Sequence, residues 1–412
     1  MDVFQLAKNI EDEVIELRRH FHKYPEVSMK EEKTMQYVTG FLRDLEIPYE
    51  IVPDGGIIGT IEGESHGKTI ILRADLDALP ITESPTNLTQ AKKVISQNEG
   101  VAHVCGHDAH MAMLLGAAKI LNENRNEING TVLLVFEQGE EVGGGIEQLL
   151  KRLVEIGADG VWGIHVKNDL PAGKISVDAG PRMSGVMPFH VKIVGNSGHG
   201  SRPDEAQSPI DCFHQFYQQL MAMRLNTLNP HDALTLSVGS INAGKAANVI
   251  PDSLEFSGTA RFLSAEQGNS AKKEFKRLLE KICEIHHCTY GYIVEPNVKD
   301  TMVYNQEQCA EIAQNGVEES VGSEALSNFP AWMASEPFGF CQKYFPGVFA
   351  FLGLQNEDKG IGAEHHHPKF DIDESVLKIG VAATVQYAID FLQSDQEIHF
   401  KKEQKSVTKL FE

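Results

Sequence analysis

The chain has 412 residues, 42% hydrophobic and 23% charged, with a formal net charge of −21 from 58 acidic against 37 basic side chains. That composition excludes a disordered or fibrous chain, and the length calls for two or three domains rather than one core. The excess acid would repel a phosphate backbone, so nucleic acid is excluded as a partner and the charge reads as a solubility feature.

In chain order, the first twenty residues, MDVFQLAKNIEDEVIELRRH, are acidic and amphipathic and lack the basic and apolar regions of a signal peptide. Leu6, Ile10, Val14 and Leu17 recur at helical spacing and predict one helix over residues 4–21. The short apolar runs Thr69–Leu72, Thr131–Phe136 and Val161–Ile164 read as strands buried on both faces, as in a parallel sheet between helices. Residues 108–122 read as a helix, with Asp108 as its N-cap. From Met187 the pattern changes to alternation, with Phe189, Val191 and Ile193 on one face. Ser208-Pro209 then opens a helix to about Arg224. Strands around Leu234–Val238 and Leu254–Phe256, a helix over 265–286 and a strand at Tyr290–Val294 complete a β-α-β-β-α-β order.

The expected architecture is therefore α/β. A mixed, largely parallel sheet flanked by helices takes residues 1–185 and 296–412, with a ferredoxin-like domain inserted at 186–295. No segment approaches the run of about 18 apolar residues needed to span a membrane. The six cysteines (Cys105, Cys212, Cys283, Cys288, Cys309, Cys341) are scattered without a CxxC pair, which points to a reducing cytoplasm.

Chemistry-bearing residues cluster at the ends of the predicted strands. His103-Val104-Cys105-Gly106-His107-Asp108-Ala109-His110 places five potential ligand side chains directly before a helix. Thiolate and imidazole suit zinc and, to differing degrees, nickel, cobalt or manganese. Glu137-Gln138-Gly139-Glu140-Glu141 follows the second strand, and paired glutamates there can divide metal binding from proton transfer. His165 ends the third strand, Asp75 and Asp77 follow the first, and Glu364-His365-His366-His367-Pro368 lies near the C-terminus. Three strands delivering Asp, Glu and His at the same end match where open α/β sheets build their sites.

These residues resemble the aminoacylase and hippurate-hydrolase group of metallopeptidase-like amidohydrolases (peptidase family M-twenty, subfamily D type), which includes plant hydrolases of indole-acetyl amino acids. The resemblance runs from Arg18-Arg19-His20-Phe21-His22 through Asp77-Ala78-Leu79-Pro80-Ile81, Cys105-Gly106-His107-Asp108 and Glu140-Glu141. It continues with Gly198-His199-Gly200, Asn248-Val249-Ile250-Pro251 and Gly258-Thr259-Ala260-Arg261-Phe262, and ends at His366-His367-Pro368-Lys369-Phe370-Asp371. It implies a zinc-peptidase-like catalytic domain with two divalent ions (Zn, Mn, Ni or Co) held by Cys105, His107, Glu141, His165 and His366. Glu140 would be general base and then acid toward a metal-activated water, cleaving the amide bond of an N-acyl amino acid or related small conjugate. His199 and Asn248 would hold the substrate or its oxyanion, Arg261 would meet its carboxylate, and the inserted domain would mediate a homodimer and act as a lid.

The chain departs from the group at Glu137-Gln138-Gly139, where Gln-Pro-Ala is usual, at Ala102-His103-Val104 and at Glu336-Pro337-Phe338. The departures leave substrate and metal identity open. Other readings of the same residues are a small-peptide dipeptidase or carboxypeptidase, a Cys105 nucleophile with His107 or His110 as base, and a non-catalytic metal-binding regulatory protein.

Overall fold

The computed structural model describes residues 1–229 and 231–411. The chain divides into two compact units, one of Met1–Arg182, Tyr304–Pro330 and the residues from Pro337 on, the other of Met183–Val303 and Ala331–Glu336.

The first unit is built on a seven-stranded sheet in the order Tyr49–Val52, Gly56–Glu62, Asn129–Glu137, Ser65–Asp75, Gly160–Pro171, Gly347–Gln355 and Ile175–Ser176. The four central strands run parallel, and the outer pairings are antiparallel. Ile70, Ile71 and Leu72 are fully buried, as continuous apolar runs must be when helices cover both faces. Helices His107–Glu123 and Leu377–Gln393 are buried around nearly their whole circumference. Contrary to the expectation that no segment is apolar enough to span a membrane, the stretch Glu374–Gln393 has the length and composition to do so, yet 83% of its most apolar 18-residue window is buried within the fold. Trp162 locks this helix to the sheet: its ring stacks on Tyr387 at 4.7 Å, and its Nε1–H donates to Thr384 at 3.0 Å.

Two local expectations are corrected. The predicted helix over 4–21 is two helices, Val3–Asn9 and Glu11–Lys23, interrupted at Ile10. Glu11, Asp12 and Glu13 form the first turn of the second, where the helix dipole favours negative charge. The helix expected at 108–122 begins at His107 with Gly106 as N-cap, not Asp108. Gly106 sits at φ +99°, and a Cβ there would lie 2.3 Å from Val166 Cγ2, so only glycine permits this approach. Asp108 instead accepts from Arg18 Nε at 2.8 Å and lies 2.7 Å from His22 Nδ1, on the buried face of helix 11–23.

The second unit follows the β-α-β-β-α-β order: Gly185–Val194, Pro209–Asn226, Leu234–Ala243, Ser253–Phe262, Ala265–Ile285 and Thr289–Val294. Its antiparallel sheet runs 234–243, 253–262, 185–194, 289–294, the ferredoxin-like arrangement. Ser208 caps its first helix by accepting from Asp211 N, with Pro209 at the first helical position. Phe189, Phe216, Phe256, Phe262 and Phe275 fill the core between sheet and helices.

Candidate active site

The parallel register sets Asp75 directly beside Glu137 at the ends of two central strands. His165 lies inside the neighbouring strand rather than at its end, because pairing with strand 347–355 carries that strand on to Pro171. The Gly106 turn delivers Cys105 and His107 to the same end of the sheet. Cys105 Sγ lies 3.6 Å from His165 Nε2.

Each histidine ring is oriented by its second nitrogen. His107 Nδ1 donates to the Asp77 carbonyl at 2.9 Å and is 3.2 Å from Asp77 Oδ1. His107 Nε2 is therefore the nitrogen that faces the site, buried and without a hydrogen-bond partner. It is 3.8 Å from carboxylate oxygens of Asp75, Glu140 and Glu141. His165 Nδ1 donates to the Val166 carbonyl at 2.7 Å, which turns its Nε2 toward Cys105. These are the outer hydrogen bonds that metal-ligating imidazoles make.

The three adjacent histidines diverge. His366 adopts φ +64°, a conformation costly for a residue with a side chain, and its backbone N–H donates to the Val104 carbonyl at 2.8 Å. Its Nε2 lies 3.2 Å from Glu141 Oε1. His365 is half-buried with Nδ1 3.2 Å from the Cys105 carbonyl, while His367 Nδ1 accepts from Lys369 N.

Among the described residues, four overlapping groups have potential ligand atoms within 4.8 Å of one another: Cys105, His107 and His165; Cys105, Glu141 and His366; Asp77, His107 and Glu140; and Asp75, His107 and His110. The first two contain all five expected ligands, with Cys105 common to both. An orphaned imidazole nitrogen facing a thiol and several carboxylates is a donor set suited to divalent cations, so the residues present fit the group.

The charge states show what a cation would change. Burial pushes the Cys105 thiol well up, and Glu141 adds to this. Burial also holds His165 well below its ordinary range, with His110 and His365 adding to it, so its ring is neutral as a ligand must be. For His107 burial opposes protonation, but Asp75, Cys105 and Asp77 outweigh it and raise the ring well above its usual value. A bound cation inverts this logic by stabilising thiolate and neutral imidazole.

Asp75 and Asp77 carry no assigned role in the sequence reading, and His110 enters it only as a potential ligand and as an alternative base for Cys105. Asp77 accepts the backbone N–H groups of Glu140 at 3.2 Å and Glu141 at 3.1 Å, as well as the Ser28 hydroxyl at 2.6 Å. Asp75 accepts from His110 Nδ1 at 2.7 Å, and His110 Nε2 accepts from Val166 N at 3.0 Å. The sequence signal for Asp75 and Asp77 is a pair of carboxylates past a buried strand. Glu137, the carboxylate at which the chain departs from the group's usual Gln-Pro-Ala, receives Arg73 Nε at 2.8 Å, and the same guanidinium bonds Asp75. Its charge is therefore matched by an adjacent cation.

His199, Asn248 and Arg261 belong to the second unit. His199 pairs with Val249 in a two-stranded ribbon, and Gly200 N donates to the Asn248 carbonyl at 2.8 Å, which makes His199 and Asn248 neighbours. His199 Nδ1 accepts from Ser201 N at 3.2 Å, so its proton sits on Nε2. Arg261 is half-buried and donates to the Met333 carbonyl at 3.1 Å.

The profile of the family described as "Peptidase family M20/M25/M40" matches residues 71–390. The chain is 36% identical over 399 residues to thermostable carboxypeptidase 1 of Saccharolobus solfataricus, covering 95% of this chain and 99% of that protein. It is 33% identical over 395 residues to N-acetyl-L-cysteine deacetylase of Bacillus subtilis, covering 94% and 90%. Among solved structures it superposes with a TM-score of 0.80 and 29% identity on the Bacillus subtilis YXEP protein, described as a dinuclear metal binding peptidase from the M20 family, over 94% of this chain and 99% of that one.

Proposed function

This chain belongs to peptidase family M20/M25/M40, and from that membership we propose that it hydrolyses N-acyl amino acids or related small conjugates with Glu140 as general base and then general acid. It is a metal-dependent amidohydrolase of the dinuclear type. The observation that carries the reading is the His107 ring, fixed by Asp77 and aiming an unpartnered nitrogen at the space shared with Cys105, Glu140 and Glu141.

In this reading Cys105, His107 and His165 hold one ion, and Cys105, Glu141 and His366 hold the other. When bound, the ions supply Lewis-acid polarisation of the scissile carbonyl and a lowered pKa for the attacking water. Glu140 Oε2, 3.8 Å from His107 Nε2, is the carboxylate left to move protons. It takes the proton of the attacking water and returns it to the leaving nitrogen. His199, with its proton on Nε2, is a donor suited to an oxyanion, Asn248 orients the substrate beside it, and Arg261 offers a guanidinium to the substrate carboxylate. A Cys105 nucleophile is disfavoured, because burial and Glu141 raise its thiol where a nucleophile needs it lowered.

The relative named as a carboxypeptidase supports a second substrate class, small peptides cleaved at the same site. We further place the enzyme in the cytoplasm, consistent with six cysteines that form no disulfide, and infer a homodimer formed through the inserted unit, with zinc, manganese, nickel or cobalt as its metal. The test is turnover of a panel of N-acyl amino acids and dipeptides by metal-free protein and after restoring each metal. Activity lost on chelation and regained with one metal is the expected result. Glu140→Gln should retain bound metal and lower kcat by about 10³-fold or more. Near-parent kcat in that variant would remove Glu140 from the role.

A further inference from the structure

The turn carrying Glu140 is braced from behind by residues 28–31, which belong to none of the ligand groups. Glu31 is wholly buried. Its carboxylate accepts the backbone N–H of Gly139 at 2.8 Å and the Gln138 side-chain amide at 3.1 Å. Gly139, at φ +63°, is the residue that turns the chain from strand 129–137 into Glu140–Val142. Met29 packs on the other side of this turn. Its Sδ would lie 2.6 Å from a Cβ on Gly139 and 2.5 Å from one on Gly144, so it fills space that those glycines leave open. Met29 is itself at φ +62°, an unfavourable conformation for a long side chain. Next to it, Ser28 donates to Asp77, the carboxylate that accepts the Glu140 and Glu141 N–H groups.

Burying a carboxylate is expensive, and an apolar side chain would fill the same volume at lower cost. What the carboxylate adds is a fixed acceptor for the Gly139 N–H. Met29, itself at positive φ, adds a side chain packed into the space that the glycines at 139 and 144 leave open, and the φ of Gly139 favours glycine there. Both features act on one short segment, and that segment aims Glu140.

We propose that Glu31 and Met29 are positioning residues for Glu140. They fix the 139–145 turn so that the Glu140 carboxylate is held at the His107 side of the site. The proposal rests on Glu140 being the general base. Misplacing a catalytic group by about 1 Å can cost about 10²-fold in rate, so a loosened turn should be visible in kcat.

The test uses metal-loaded enzyme and measures kcat, KM and bound metal. Glu31→Ala should lower kcat about tenfold or more, with KM within about twofold and metal content unchanged. Glu31→Gln should recover most of the loss, since its carbonyl oxygen still accepts the Gly139 N–H. Met29→Gly, which removes this packed side chain and relieves the backbone, should lower kcat about threefold. Adding Glu31→Ala to Glu140→Gln should cost nothing further, because both changes act on one group. A kcat within about twofold of parent for Glu31→Ala, the same fractional loss in the Glu140→Gln background, or a loss explained by missing metal would each overturn the proposal. If Glu31→Ala does not fold, Met29→Gly carries the test, and parent-like kcat there overturns it. Near-parent kcat in Glu140→Gln alone would instead refute the base assignment, which separates the two failures.

Discussion

A single carboxylate, Asp77, touches the His107 ring, the Ser28 hydroxyl and both backbone N–H groups of the Glu140–Glu141 pair. Burial opposes its ionisation, but hydrogen bonding to His107 and Ser28 outweighs this and holds its carboxyl below the usual range. Asp77→Ala removes the carboxylate contact at 3.2 Å and the acceptor for the Glu140 and Glu141 N–H groups but keeps the backbone carbonyl that His107 Nδ1 meets at 2.9 Å, so it should loosen the His107 ring and weaken metal binding by about 10-fold. Chelator competition would measure this, and parent-like affinity would show that His107 is oriented by other groups. From sequence, Asp77 was one of two acids after a strand. Nothing in the spacing of Asp75 and Asp77 distinguished the acid that orients His107 from the one that meets His110. The His365-His366-His367 run posed the same problem: adjacent residues of one type diverge by backbone angle, and the +64° φ of His366 is invisible in the letters.

At the level of elements, a buried ionic chain ties helix 11–23 to two segments of the site. Arg18 and His22 bind Asp108, next to His107. His22 also bonds Glu83 at 2.8 Å, Glu83 accepts from Lys92 at 2.7 Å, and Lys92 reaches the Pro368 carbonyl, two residues past His366. Burial raises the Glu83 carboxyl, but His22 and Lys92 prevail and bring it down to about 2. A carboxyl depressed in the folded state contributes stability above its unfolded pKa and loses it as the pH falls toward the folded value. Stability should thus decline between about pH 4.5 and 2, and Glu83→Gln should flatten that decline. Chemical denaturation at several pH values would check it, and identical slopes would exclude Glu83 as a contributor. Helix and strand positions were largely legible, since burial on one or both faces leaves a repeating apolar pattern. The break at Ile10 was not, because a one-residue kink leaves the Leu6, Ile10, Val14 spacing intact. Nor was the start of helix 107–123, where Asp108 looked like a cap and proved to be the partner of Arg18, ninety residues away.

On the scale of the molecule, the parallel sheet gathers residues from five separate stretches and helix 377–393 closes it from behind. Trp162 joins the two, so Trp162→Ala should destabilise the first unit by about 3–5 kcal/mol. Thermal or denaturant unfolding would measure the loss, and a change under about 1 kcal/mol would mean that the cavity collapses.

The sequence by itself determined the α/β class, the β-α-β-β-α-β order of the second unit and which side chains could serve as donors. Periodicity records which faces are buried, and only certain side chains can bind a cation or move a proton. Only the tertiary structure decided that Cys105 is common to two clusters of potential donors, that Asp77 bonds the His107 ring and that Arg73 pairs with both Glu137 and Asp75. Distances among residues 77, 107, 140, 165 and 366 are set by strand crossings and by φ angles at single positions such as Gly106 and Gly139. Neither has a local signature in the chain.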